Sequence, residues 1–293
     1  MIAVIAALGA SLSWTTAALV AHGPARSLGA FDFTRTQLVS AAMILVVGAG
    51  ATGAWTSVDW GFWPLYVTAS LAGVVVGNLA MTACLRRGGP RRSQLLQATV
   101  GPLSACLAWL ILGEHFTWNM LVGGAVVVAG IIMAILYGST KDPHDALKSP
   151  LVAVIAFGLL SATAQAIGLI AMKPVLDAGA DPLAASAIRT GLAAIAITVL
   201  ALWPAQFVEP VSKRTPGVVV STIVSGTLGY VVAVSLLLVA LKSGNTGIAA
   251  VVGSLSPVVM LPIIWRMSRR PPWQAWLGAG VVVLGIMIMF ANS

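Results

Sequence analysis

Long apolar runs separated by short polar gaps organise this chain. They fall near residues 2–22, 33–52, 63–85, 93–112, 118–137, 151–172, 182–203, 217–241, 247–266 and 272–291. A helix rising 1.5 Å per residue needs about 20 apolar residues to cross a bilayer, so each run is predicted to span. Ten such helices take up most of the 293 residues and leave no length for a soluble domain. The predicted fold class is an all-α integral membrane protein. The first run lacks a basic leading segment and has a second copy later in the chain, so it is expected to remain as a span. The longest polar gap, from Gly138 to Ser149, follows the fifth run, where two halves would join.

The halves are repeats. A shift of 155 places Pro102 on Pro257, Trp118 on Trp273, Gly123 on Gly278 and Gly130 on Gly285. Near the start of each half a shift of 150 pairs Ser11 with Ser161, Pro24 with Pro174 and Gly29 with Gly179. A shift of 154 pairs Arg35-Thr36 with Arg189-Thr190. Apolar helices resemble one another by chance, but prolines, glycines and tryptophans in a common order do not. The predicted units are 1–143 and 144–293. Each holds five spans, an odd number, so the second enters the membrane from the opposite side. Such inverted repeats place a transporter's substrate site at the midplane between the halves.

Composition agrees with the pattern. The chain is 59% hydrophobic and only 8% charged, where soluble chains carry roughly 25% charged residues. The net charge of +8 points to the phospholipid surface rather than nucleic acid, because the basic residues sit in gaps between apolar runs. With Arg266 counted at the end of run nine, twelve of the fourteen Lys and Arg at or beyond the run ends belong to gaps after odd-numbered runs, among them Arg86, Arg87, Arg91 and Arg92. The positive-inside rule makes those gaps cytoplasmic and puts both termini in the periplasm of a bacterial cytoplasmic membrane. Trp55, Trp60, Trp63, Trp118, Trp203, Trp265, Trp273 and Trp276 lie near run ends, as an interfacial belt requires, whereas Trp14 sits well inside. Cys84 and Cys106 fall inside apolar runs and signal neither a disulfide nor a metal site. No cofactor is expected.

Polar residues within the runs are the candidate site, since unpaired polar groups in hydrocarbon are costly and turn inward. Span one places Ser11, Thr15 and His22 on one face, and span six repeats the pattern with Ser161 and Gln165, Met172 replacing His22. Span four carries Gln94, Gln97, Gly101 and Ser104 as a stripe. Span three adds Asn78 and Thr82, and span eight adds Thr227 and Tyr230. Two explanations stand side by side: these stripes line one polar cavity, or they hold the helices together by interhelical hydrogen bonds. Pro102 and Pro257 lie near their span centres, where each removes a backbone bond and leaves the carbonyl four residues earlier, Ala98 or Gly253, without its helical donor. They are hinges for alternating access or static kinks. Gly73-Val-Val-Val-Gly77 is a small-residue face expected to bring spans three and eight together. Arg189 lies about ten Å inside span seven at 1.5 Å per residue, and either lines the pathway or snorkels to the headgroups.

Five spans repeated with inverted topology, Gly113-Glu114 between the fourth and fifth spans, a mid-span proline in spans four and nine and a Gly-rich fifth span resemble the drug/metabolite transporter superfamily, of the EamA type. The likeness covers essentially the whole chain. Within the superfamily the chain is most similar to bacterial exporters of aromatic and other neutral amino acids such as methionine and threonine. The second half carries Arg269-Arg270 where the first has Glu114-His115, so the acidic signature is not duplicated. Span one also lacks the glutamate of the small multidrug members.

The resemblance implies a secondary transporter, expected as a monomer, that exports amino acids by alternating access. Trp14 and Tyr230 would pack against apolar substrate side chains. No charged residue lies near a span centre, so the substrate's carboxylate and ammonium would fall to Asn, Gln, Ser and released carbonyls, which predicts weak binding. The alternative is a multidrug or sugar-phosphate exporter of the same superfamily, though a phosphate carrier would want basic residues in its cavity. A membrane enzyme is a remote third reading, because no HExxH, intramembrane aspartate pair or Ser/His constellation is present.

Overall fold

The computed structural model describes residues 2–115, 117–138, 150–202, 215–244, 246–253, 255–266 and 272–290. The side chains of His22, Gln94 and Pro257 lie outside the described part. The described residues are helical almost throughout: α1 Ile2–Leu28, α2 Ala30–Ala51, α3 Trp63–Thr68, α4 Gly77–Gln97, α5 Val100–Leu112, α6 Trp118–Gly138 and α7 Leu151–Asp177. The rest are α8 Pro182–Leu200, α9 Pro216–Gly226, α10 Val234–Ser243, α11 Thr246–Gly253, α12 Ser256–Arg266 and α13 Trp273–Phe290. Among the described residues six helical segments are long and apolar enough to cross a membrane, and Val100–Leu112, Trp118–Met133 and Trp273–Ile288 are shorter apolar helices. Large side chains such as Val47, Trp118, Val152 and Met287 stay exposed on the outside of the bundle, the distribution expected of a lipid-facing surface.

Three departures from regular helix shape the centre. First, span three passes through a π-helical segment, Ala69–Val76, between α3 and α4, and span eight through another, Thr227–Ala233, between α9 and α10. A π-helix leaves the usual i→i−4 ladder and is found mostly as a short bulge, frequently at functional sites. Second, Pro102 and Pro257 do not sit inside continuous helices. Each falls in the first turn of a new one, α5 or α12, after a break at Ala98-Thr99 and around Leu255. That is the position where proline's missing N–H has no intrahelical acceptor to lose. Third, the arginine-rich gap after run three is helical within α4. The segment still doubles back: Ser93 Oγ lies 3.5 Å from Cys84 Sγ, whereas nine residues of straight helix rise about 13 Å.

Glycines set the closest helix crossings. A Cβ on Gly73 would lie 2.9 Å from the Gly168 Cα, and one on Gly168 would lie 2.6 Å from the Gly73 Cα. The small-residue face of span three therefore meets α7, the sixth span, rather than span eight as expected. Gly77 completes that face against the Gln165 side chain, whose Cγ would stand 2.8 Å from a Cβ on Gly77. α7 supplies a glycine at the same level, whereas the glycines of span eight face elsewhere, Gly226 against Gln37 of α2 and Gly229 towards Ala17 of α1. Spans three and eight touch instead through polar side chains.

Polar contacts also bring the connections after runs two, four, six and eight to one end of the bundle. Asp181 N–H donates to Ser57 Oγ at 2.8 Å. The Glu114 carboxylate accepts from Thr246 N–H at 3.2 and 3.0 Å and from its hydroxyl.

Candidate substrate pathway

Three polar clusters occupy the centre. In the first, span one meets span nine. The Ser11 hydroxyl lies 2.9 and 2.8 Å from the carbonyls of Val252 and Gly253, and Thr15 Oγ1 donates to the Ser256 carbonyl at 3.0 Å. Gly253 ends α11, so its carbonyl is one of the acceptors that a helix terminus leaves to other donors, and Ser11 reaches it. Both side chains are fully buried.

In the second cluster, span six meets spans three and four. Gln97 Nε2 donates to Gln165 Oε1 at 2.7 Å, and Gln165 Nε2 lies 3.3 Å from Gln97 Oε1 and 3.0 Å from Ser161 Oγ. Ser161 in turn donates to the Gly77 carbonyl at 2.8 Å. Gln97 and Gln165 are half-buried, so the amide pair is not fully enclosed by protein. Under the shift of 155, Gln97 corresponds to Val252, and the two clusters are therefore related contacts of the two halves.

The third cluster joins the π-helical segments. Asn78 Nδ2 donates to Tyr230 Oη at 3.1 Å, linking span three to span eight. Trp14 Nε1 donates to the Gly229 carbonyl at 3.1 Å and Ser13 Oγ to the Leu228 carbonyl at 2.7 Å. Across the bundle Arg189 Nε donates to the Ala69 carbonyl at 3.4 Å. Carbonyls of both π segments thus accept from side chains of neighbouring spans. The Trp14 ring also packs towards Gly253, 3.9 Å from the position of a Cβ there. Thr82 lies one turn beyond Asn78 and is half-buried.

The structure thus gathers Ser11, Thr15, Ser161, Gln165, Gln97, Asn78, Tyr230 and Trp14 within one central region, and most of them bridge two spans. The Ser104 hydroxyl of span four is buried without a partner among the described residues. Arg189 lies outside the polar stripes that the sequence displays. Its depth of about ten Å allowed a snorkelling side chain, but the structure buries it at 7% exposure beside Gly73. No group of three or more His, Cys, Asp or Glu able to hold a metal occurs among the described residues.

A separate cavity of about 620 Å³ opens at the bundle end that carries Glu114. Phe62, Leu112, Glu114, Lys173 and Asp177 are among the residues lining it, and Lys173 pairs with Asp177 at 2.7 Å. Gly113, at φ +66°, ends α5 in the left-handed conformation that glycine adopts readily, and Glu114 N–H then reaches the Ala108 carbonyl at 3.2 Å. This turn delivers the carboxylate to Thr246 at the start of α11.

Comparison with known proteins bears on the whole of this arrangement. A solved structure described only as "Crystal structure of protein" superposes with a TM-score of 0.80 at 15% identity, covering 98% of this chain and 95% of that chain. At that identity the likeness concerns the fold. No curated protein matches the sequence. The model of the EamA-like transporter family matches twice, over residues 1–136 and 152–291, so each half carries the family's unit. Transporters, not enzymes, make up that family, and this multi-pass membrane protein belongs to it.

Proposed function

We propose that the protein is a secondary transporter that exports neutral amino acids, aromatic ones and methionine and threonine among them, across the bacterial cytoplasmic membrane by alternating access. The observation that carries this reading is the central polar region, in which amides, hydroxyls and two aromatic rings from opposite halves converge. The Gln97–Gln165 pair and the Asn78–Tyr230 pair offer donors and acceptors to the common part of an amino acid. Trp14 and Tyr230 offer apolar surface to its side chain.

The reading takes the chain as ten spans in two inverted units, 1–143 and 144–293, with both termini periplasmic. It is supported by the meeting of Ser57 with Asp181 and of Glu114 with Thr246 at one end of the bundle. The matched helix breaks before Pro102 and Pro257 serve as hinges, because a span already divided into two helices can bend without losing further backbone bonds. The glycine faces of α6 and α13 are used against each other, which favours a monomer.

Counterflow in proteoliposomes with labelled amino acids, quaternary cations and sugar phosphates tests the proposal. Exchange of phenylalanine, methionine or threonine is expected. Exchange confined to quaternary cations or sugar phosphates would replace the amino-acid reading with the multidrug or sugar-phosphate one.

A further inference from the structure

Arg189 is a buried cation for which the described residues provide no ion pair. The one ion pair there joins Lys173 to Asp177. The side chain of Arg189 is more than nine-tenths buried, and its hydrogen bond to the Ala69 carbonyl uses Nε. Its terminal nitrogens meet no protein acceptor among the described residues. Nor are they sealed away, since the sealed unpartnered atoms are Tyr66 Oη and Ser104 Oγ. Nη2 lies 3.0 Å from where a Cβ on Gly73 would stand, so the missing side chain at Gly73 makes room for the guanidinium. Five residues beyond Gly73, Asn78 holds the Tyr230 hydroxyl at 3.1 Å.

The other half of the chain sharpens the point. The shift that pairs Arg189 with Arg35 pairs Ser186 with Asp32. Arg35 therefore has an acidic residue three positions earlier on its own helix, at the spacing that places side chains side by side. Arg189 has Ser186 there, and Ser186 accepts from the Ser235 hydroxyl at 3.2 Å. A desolvated charge without an opposite charge is costly at membrane depth. The second half keeps the cation but has no acidic residue at the matched position.

We propose that Arg189 is the anion-recognition group of the transport site, and that it takes a single carboxylate from the transported molecule. This rests on the transport reading and deepens it, since the carboxylate is the anionic group common to all amino acids. The guanidinium fork matches carboxylate geometry, and the Nε bond to the Ala69 carbonyl leaves its terminal nitrogens for the ligand. One positive charge balances one carboxylate. A phosphate dianion in the same place would keep an uncompensated negative charge in a low-dielectric interior.

The test is inhibition of labelled phenylalanine counterflow by four unlabelled analogues: phenylalanine, 3-phenylpropionate, phenylalaninamide and phenylethylamine. In the unmodified protein the two carboxylates are expected to compete about tenfold to a hundredfold better than the matching amide and amine. In R189Q that preference collapses to near unity. R189K, which keeps the charge but loses the fork, retains part of it and shows whether the site folds. Monodisperse elution of both variants is checked first, and R189K carries the comparison if R189Q does not fold. Unchanged carboxylate preference in R189Q, or in R189K where it stands in, overturns the assignment while leaving amino-acid export intact. Should no amino acid be exchanged, labelled 3-phenylpropionate replaces phenylalanine. Arg189-dependent exchange of that acid keeps the assignment and defeats the amino-acid reading, and its absence defeats both. Arg189-dependent exchange of a sugar phosphate overturns the single-carboxylate statement.

Discussion

Gly130 of α6 and Gly285 of α13 occupy reciprocal positions in one helix crossing. A Cβ on Gly130 would lie 2.7 Å from Val282 N, 2.8 Å from Gly278 O and 2.8 Å from Val282 Cγ2. A Cβ on Gly285 would lie at those same distances from Val127 N, Gly123 O and Val127 Cγ2. Every atom pair on one side maps to its partner by the shift of 155 that aligns the halves. The two halves therefore meet there across a local two-fold axis.

That symmetry makes a quantitative prediction. Gly130→Ala and Gly285→Ala each drive a methyl group into backbone, which cannot rotate away as a flexible side chain can. Overpacking of this kind costs about 1–3 kcal/mol, offset by up to about 1 kcal/mol from alanine's better helix propensity. Both substitutions should lower the thermal unfolding temperature in detergent, and by similar amounts. A loss at one site with none at the other would contradict the reciprocal crossing.

The Glu114–Thr246 contact yields a second prediction. Glu114 follows the glycine that ends α5 and supplies an acceptor for the buried first-turn N–H at the start of α11. Loss of a capping acceptor costs about 0.5–2 kcal/mol. Glu114→Ala should destabilise the protein by that order. Thr246→Val should cost less, because it removes the hydroxyl but keeps the backbone donor. The double variant should lose less than the sum of the two, measured by unfolding in detergent. Strict additivity would mean that the contact carries no energy.

Much of this architecture was legible because prolines, glycines and tryptophans mark positions that hydropathy cannot. Pro102 and Pro257 fall at matched breaks, but as first-turn residues of new helices rather than as kinks inside continuous ones, and the Gly253 carbonyl that Ser11 reaches belongs to the end of α11. The π-helical segments were not legible. No residue type requires an i→i−5 turn, so nothing in the sequence of Ala69–Val76 or Thr227–Ala233 marks them as π-helical. The partner of Gly73 was missed for a related reason: a small-residue face shows that some helix comes close, but the identity of that helix depends on where Gly168 lies. Arg189 was ambiguous because a long cationic side chain at its depth reaches either headgroups or interior. Only the space left by Gly73 decides between them.

Topology gives a third prediction. With the basic gaps facing the cytoplasm, a fluorescent reporter that matures only in the cytoplasm should stay dark when fused after Ser293. An alkaline phosphatase fusion at the same site, active only in the periplasm, should be active. Bright fluorescence with a silent phosphatase would reverse the orientation of both halves.

The last prediction separates recognition of the amino-acid backbone from recognition of its side chain. Gln97 bonds Gln165 across spans four and six, and both amides are only half-buried. Gln97→Leu removes a dipole from the region that would hold the common carboxylate and ammonium, so every amino acid should be transported less well. A neutral hydrogen bond contributes about 0.5–1.5 kcal/mol, and one to a charged group about 1.5–3. The loss should therefore run from several-fold to about a hundredfold, similar for phenylalanine, methionine and threonine. Trp14→Ala and Tyr230→Ala instead enlarge the apolar wall. Aromatic contacts add about 0.5–1.5 kcal/mol beyond area burial, so phenylalanine and methionine should lose several-fold more than threonine. Tyr230→Phe keeps the ring but releases Asn78, and should resemble Gln97→Leu more than Tyr230→Ala. Trp14→Phe likewise keeps a ring and frees the Gly229 carbonyl of the π segment. If its selectivity matches the unmodified protein while Trp14→Ala changes it, the ring contacts substrate. A uniform loss across all three amino acids in both Trp14 variants would mean that the indole supports the π segment of span eight.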